Sequence, residues 1–375
     1  MSGIYIHIPF CKKACNYCNF HFSTSMQLRR PMIDAIKKEL EQRVFYLADS
    51  TVQTIYFGGG TPSLLNSDEL MEIWAVIEKN YKLDNDLEIT LEANPDDLIL
   101  EKLKSYRNDT IINRLSIGIQ SFHDQDLIYM NRAHSVIEAK ECIVNALNLG
   151  FQQMSIDLIY GTPTMDDEQW HENLRTAFAY GVPHISCYAL TVEPKTVLQH
   201  LIVKGKAQEI NEEHTARQFE ILLKEALNQG YEQYEISNFC RPPHYARHNS
   251  AYWHGEHYLG IGPSAHSFNG KSRQWNIANN AKYVKAIADN EKAFELEQLT
   301  SEEQFNEYIL TSLRTKWGVD LTLLRNKWGE EAEKRFCTNI QNYLKQDYLV
   351  EVETKFVLTD KGKLLADSII SDLFW

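Results

Sequence analysis

Tyr5-Ile-His-Ile-Pro-Phe-Cys-Lys-Lys-Ala-Cys-Asn-Tyr-Cys-Asn-Phe20 is the stretch on which the reading of this 375-residue chain turns. An apolar strand pattern runs directly into three cysteines, Cys11, Cys15 and Cys18, spaced Cys-x3-Cys-x2-Cys. Thiolates gathered on so short a loop can wrap one compact metal centre, and a [4Fe–4S] cluster normally takes four of them. Three ligands leave one iron open to a small molecule, as a catalytic zinc keeps one position open. Two plainer readings compete at this point: a zinc site completed by His7 or His21, or three unrelated thiols.

Outward from this loop, β-rich runs alternate with helical periodicity as far as residue 190, which predicts parallel strands covered by helices. The strands read as Gly3–Ile8, Gln53–Gly58, Leu87–Glu92, Asn113–Gly118, Gln153–Ile159 and His184–Leu190, with helices near 31–47, 67–80, 97–106, 135–149, 166–180 and 211–229. Six such units predict an α/β fold, a partly open (β/α)6 barrel whose lateral mouth could admit a large substrate. Polar residues at the strands' C-terminal ends, Gly58 to Thr61, Glu92, Gln120 and Asp157, stand where barrel active sites are built.

Composition sets the bounds. A hydrophobic content of 43% fills a sizeable core, and no run of about 18 apolar residues or signal-peptide plan occurs, so the expectation is a cytoplasmic protein without a transmembrane segment. Seven scattered cysteines make no disulfide framework and fit a reducing compartment. A net charge of −13 argues against nucleic acid as a partner and against standing attachment to anionic lipid, leaving only a transient membrane contact open.

The cysteine spacing resembles the signature of the radical S-adenosylmethionine (SAM) superfamily. There the open iron holds the amino and carboxylate groups of SAM, and a cluster electron splits SAM into methionine and a 5′-deoxyadenosyl radical. The loop Gly58-Gly-Gly-Thr-Pro62 lies where the second barrel strand ends and is similar to that superfamily's glycine-rich SAM loop. Further along come Glu-Ala-Asn-Pro, Ile-Gly-Ile-Gln-Ser-Phe, Met-Asn-Arg-Ala-His and Asp-Leu-Ile-Tyr-Gly. With Tyr-Ile-His-Ile-Pro-Phe-Cys and Gly-Gly-Gly-Thr-Pro-Ser, these resemble the family of oxygen-independent coproporphyrinogen III oxidases and their relatives, the HemW heme chaperones, over nearly the whole chain. The resemblance implies cluster ligation by Cys11, Cys15 and Cys18. It also implies SAM contacts from Tyr5, Gly60, Thr61, Glu92, Gln120, Arg132, Asp157 and Ala189.

Two departures favour the chaperone branch. Phe20 stands where the oxidases carry a further cysteine, and the chain begins ten residues before Cys11, without the oxidases' long N-terminal extension. The positive sign is His248-Asn-Ser-Ala-Tyr-Trp253, which matches the chaperones' His-Asn-x-x-Tyr-Trp motif and implies heme contacts from His248, Asn249, Tyr252 and Trp253. An imidazole can ligate heme iron, the two rings can flank the macrocycle, and Arg241 and Arg247 could meet its propionates. The alternative is an aromatic core in which His248 and Asn249 satisfy buried groups.

From about residue 300 helices and a hairpin, Tyr348–Val352 with Lys355–Leu358, predict a mainly helical, winged-helix-like domain without a basic face. The domains expected are therefore a barrel at 1–230, a heme-associated segment at 231–299 and the C-terminal domain at 300–375. The function implied is a heme chaperone binding a [4Fe–4S] cluster, SAM and heme, served by an electron donor and delivering heme to acceptor hemoproteins such as respiratory cytochromes. The competing activity is a coproporphyrinogen III dehydrogenase that decarboxylates propionates, and the chaperone is favoured over it.

Overall fold

The computed structural model describes residues 2–48 and 50–375. Six strands, β1 (Ser2–Ile8), β2 (Val52–Gly59), β3 (Leu83–Ala93), β4 (Arg114–Gln120), β5 (Gln153–Tyr160) and β6 (His184–Ala189), pair in parallel in chain order. Each end matches the sequence reading to within four residues. Alternation within the strands explains the layering. Ile4, Ile6 and Ile8 of β1 join the apolar core under the helices, while Tyr5 faces a polar lumen. Side-chain caps define where several helices start. Asn66 with Glu69, Ser135 with Glu138 and Asp166 with Gln169 each form a reciprocal capping box.

The sheet is longer than the six units. Beyond β6 it continues through β8 (Asn238–Cys240) to β7 (Glu232–Glu235), and β9 (His257–Ile261) adds in parallel to β1. Outside β9 lie β10 (His266–Phe268), β11 (Ser272–Asn276) and β12 (Phe294–Gln298), so the twelve-stranded sheet is open between β12 and β7. Residues 232–298 are thus woven into the barrel sheet at both of its edges. These strands are three to five residues long, and β12 carries glutamates on an exposed edge, so no apolar periodicity marks them.

A second hydrophobic core, from Phe305 to Leu373, is separate from the barrel core and defines the C-terminal domain. It contains helix Ser301–Leu313, a three-stranded sheet of β13 (Val319–Asp320), β14 (Leu349–Val352) and β15 (Lys355–Leu358) with β15 central, and a helical stretch Leu321–Asn339 broken at Gly329. The winged-helix-like plan expected from the sequence is present.

Candidate cofactor site in the barrel

Backbone contacts place the cysteine loop at the C-terminal mouth of the barrel. The Gly60 N–H donates to the Ile8 carbonyl at 2.9 Å and the Thr61 N–H to Phe10 at 2.7 Å, so the glycine loop grips the chain just before Cys11. Gly60 has to be glycine: a Cβ there would lie 2.6 Å from the Phe10 oxygen and 2.8 Å from the Ile8 oxygen. From the far side, the Cys15–Cys18 part is held by the turn before residue 135: the Asn16 N–H donates to Met130, and the Asn131 amide to Ala14.

All three cysteines are partly buried, and two of their sulfurs face side-chain donors. The Thr61 hydroxyl points to Cys11 Sγ and an Arg132 N–H to Cys15 Sγ, both at 3.4 Å. Donors aimed at sulfur suit electron-rich thiolates of an iron–sulfur cluster. Burial pushes the Cys11 thiol up to about 11 and raises Cys18, so iron would have to displace protons here. Among the described residues no three His, Cys, Asp or Glu groups are arranged around a single metal ion. His7 has both ring nitrogens engaged, Nδ1 with the Tyr5 hydroxyl at 3.2 Å and Nε2 with the His21 carbonyl at 2.8 Å, and His21 Nε2 bonds Asn280 at 2.7 Å.

Next to the sulfurs lie polar atoms with nothing to bind. Arg132 is partly buried; burial opposes its charge, and Tyr17 and Cys15 more than offset that. One Arg132 nitrogen reaches Asn94 at 2.6 Å and the Gly118 carbonyl at 2.9 Å, while Nε has no partner. Gln120 adopts φ +67° at a break in the β4–β5 register, and its buried Oε1 is also unpartnered. A non-glycine residue in the left-handed region is costly and clusters at functional sites. Two orphaned polar atoms beside three thiols fit a polar ligand bearing both an ammonium and a carboxylate.

Below the mouth is the lumen, a cavity of about 230 Å³ in which Tyr5, Tyr56, Glu92 and Asp157 meet. Tyr56 donates to one Glu92 oxygen at 2.7 Å, and the Gly59 N–H reaches the other at 3.2 Å. Burial, with Asp157 adding to it, pushes Glu92 up to about 7; burial likewise lifts Asp157 to about 6 despite hydrogen bonds from Ser186 and Ser116. Tyr5 bonds His7 Nδ1 at 3.2 Å. Ala189 stands apart. It lines a separate cleft of about 710 Å³ between the ends of β5 and β6 and the C-terminal domain, where Phe219, Ile236, Lys363 and Leu364 also contribute.

The structure corrects the reading of the histidine-rich segment. The short helix Arg247–Trp253 is not outside the βα units: it closes the lumen at the strands' N-terminal ends. His248 is 3% exposed, with Nδ1 on the Thr54 hydroxyl at 2.8 Å and Nε2 on the Tyr252 hydroxyl at 2.9 Å. With both nitrogens engaged, the ring is held as part of the lumen wall. The Asn249 amide reaches the Tyr234 hydroxyl at 3.4 Å, and Tyr252 packs edge-on against Tyr258. Trp253 Nε1 is buried without a partner. Arg247 pairs with Asp86 and Arg241 lies over the Tyr231 ring, so neither guanidinium is reserved for a propionate.

Several residues of this site were not singled out from sequence. Asn94 bridges Thr61 and Arg132 from within the Glu-Ala-Asn-Pro motif, and Tyr17, between two cysteines, packs on Arg132. Tyr56 was findable by alternation, two positions before Gly58 on the lumen face.

The comparisons agree with this geometry. Residues 5–177 match the model of the radical SAM superfamily, and residues 299–365 that of the HemN C-terminal domain. Proteins named heme chaperone HemW are similar from end to end. The Bacillus subtilis protein is 33% identical, with 98% of each chain covered, and a Mycobacterium tuberculosis protein is 33% identical over 99% of this chain and 94% of its own. The solved coproporphyrinogen III oxidase HemN of Escherichia coli superposes with a TM-score of 0.85 at 22% identity, covering 100% of this chain and 90% of that one; at this identity the likeness is one of fold.

Proposed function

We propose that this chain, which belongs to the HemW family of radical SAM proteins, is a heme chaperone that carries a [4Fe–4S] cluster and SAM and passes heme to acceptor hemoproteins. One observation carries the choice over the oxidase: the whole length, including both matched regions, is 33% identical to proteins named heme chaperones. Phe20 supports it, being 68% exposed where a further thiol would mark the oxidase branch.

In this reading Cys11, Cys15 and Cys18 hold the cluster, with Thr61 and Arg132 donating to their sulfurs. The cluster's chemistry, when bound, is delivery of an electron from an external donor to SAM. Arg132 and Gln120 meet the polar end of SAM, Gly60 lets the backbone come close, and Tyr5, Glu92 and Asp157 receive its ribose and sulfonium region. Ala189, whose SAM contact is only implied by the resemblance, lines the separate larger cleft. Heme is the cargo, and respiratory cytochromes are acceptors of the right kind. Thiolates that must stay reduced call for the cytoplasm, and no helix among the described residues is long and apolar enough to cross a membrane. The test is transfer. Protein reconstituted anaerobically and loaded with heme should convert an apo-hemoprotein to its holo spectrum, and failure to take up heme would rule the reading out.

A further inference from the structure

The helix that closes the lumen touches the proposed SAM pocket through a stack of rings. His248 lies on Tyr56 with centroids 5.0 Å apart and planes at 22°, and Tyr56 stacks in turn with Tyr5 at 6.1 Å. Tyr56 is the residue whose hydroxyl holds Glu92, and Glu92 is tied to the glycine loop through Gly59. The imidazole is therefore the first link of a short chain from the floor of the barrel to the mouth.

The ring is itself held from several sides. Glu88 accepts the N–H groups of Arg247 at 3.1 Å and His248 at 3.0 Å, which anchors the start of the helix. Gly3 leaves room: a Cβ there would come within 3.1 Å of the ring and 2.8 Å of the Thr54 hydroxyl. Burial, and then Arg114, push His248 down to about 3, so the imidazole is neutral. A neutral ring has one donor and one acceptor nitrogen, which the Thr54 and Tyr252 hydroxyls match.

We infer that His248 is a positioning residue for the SAM pocket: its ring fixes Tyr56, and through Tyr56 the Glu92 carboxyl, in the pose that receives SAM. The inference rests on the reading of the lumen as the SAM pocket. It gives the His-Asn-x-x-Tyr-Trp motif work on the SAM side of the molecule.

Glu92 supplies the readout. Tyr5 and Tyr56 face it from β1 and β2, and Arg114 and Asp157 from β4 and β5. His184 and Tyr188 of β6, with His248 and Tyr252 of the floor helix, complete the charged and titratable groups around it. As pH rises through about 7 the carboxyl ionises, and SAM affinity should rise with it, with a midpoint that belongs to the Glu92–Asp157 pair.

The experiment is equilibrium SAM binding to reconstituted full-length protein across neutral pH, for wild type, His248→Gln and Gly3→Ala. Glutamine keeps a hydrogen-bonding group but removes the ring and admits water to the lumen. SAM binding should weaken roughly three- to tenfold, the worth of a lost ring stack, and the midpoint should move down as Glu92 becomes better solvated. Gly3→Ala would crowd the ring and the Thr54 hydroxyl and should shift both quantities the same way; it carries the test if His248→Gln disturbs folding. Iron content and heme uptake should stay at wild-type levels in both. Wild-type affinity and midpoint in a folded variant would overturn the inference, as would loss of heme uptake with SAM binding intact. Failure of the wild type to bind SAM would instead bring down the pocket reading on which it rests.

Discussion

The two ends of the barrel lumen carry the two most conspicuous motifs of the chain, and the side chains at their centres, Arg132 and His248, are partnered differently. At the mouth the cysteines are half-buried, Arg132 Nε and Gln120 Oε1 are left without partners, and Phe20 stands out into solvent. At the floor His248 is sealed, with both nitrogens bonded and its ring stacked. Unsatisfied buried polar groups cost free energy, so a fold keeps them where a ligand will satisfy them. A fully satisfied imidazole is instead a fixed part of the wall. On the reading proposed above, the mouth receives a ligand and the floor holds the mouth in shape.

The sharpest way to break this contrast is to remove the mouth's ligands. Alanine at Cys11, Cys15 and Cys18 together should abolish bound iron and the cluster chromophore, whereas alanine at Cys142 or Cys337 should leave both; metal analysis and visible absorption decide it. Next in size is Gly60→Val. Because its Cβ would collide with the Ile8 and Phe10 carbonyls, this change should displace the cysteine loop and lower cluster occupancy along with SAM binding, so iron-to-protein ratio is the measurement. Arg132→Ala should leave most of the iron in place but weaken SAM by about 1.5 to 3 kcal/mol, the worth of a hydrogen bond to a charged group. Unchanged SAM affinity by titration would remove Arg132 from the pocket.

The smallest effect concerns pH. Glu92 moves from 4.5 to about 7 on folding, so between those values the unfolded chain has released a proton that the folded one still holds. Stability from this group therefore falls as pH rises through that window. Glu92→Gln should remove that loss, gaining on the order of 2 kcal/mol over wild type by pH 8. His7 and His248 oppose it: held down to about 4 and about 3 by burial, they lose stability as pH falls from 6.5 toward those values. Denaturant midpoints against pH for wild type and Glu92→Gln separate the two limbs.

The six parallel strands were legible because each is an apolar run long enough to show its period, as in Arg114–Gln120, buried along its whole length. Strands β7 to β12 were not, since three to five residues between loops give a period-two pattern no room to repeat. At the mouth the motifs picked out residues that the fold also brings together, Cys11 with Thr61 and Cys15 with Arg132, because residue type at short spacing marks them. At the floor the same habit missed where the segment sits in the fold. His248-Asn-Ser-Ala-Tyr-Trp253 is equally dense in ligand-type side chains, but the partners that occupy them, Thr54 and Glu88, lie more than 150 positions earlier in the chain. Local spacing carries no trace of them.

The central claim, a chaperone for heme on an oxidase-like scaffold, is tested most directly by offering one preparation both fates. Reconstituted protein with SAM and a reductant would be given coproporphyrinogen III in one vessel and heme in another, with carbon dioxide release followed in the first and heme uptake and transfer in the second. The account predicts heme uptake and transfer without decarboxylation. Release of carbon dioxide from coproporphyrinogen III, with no stable heme binding, would contradict it.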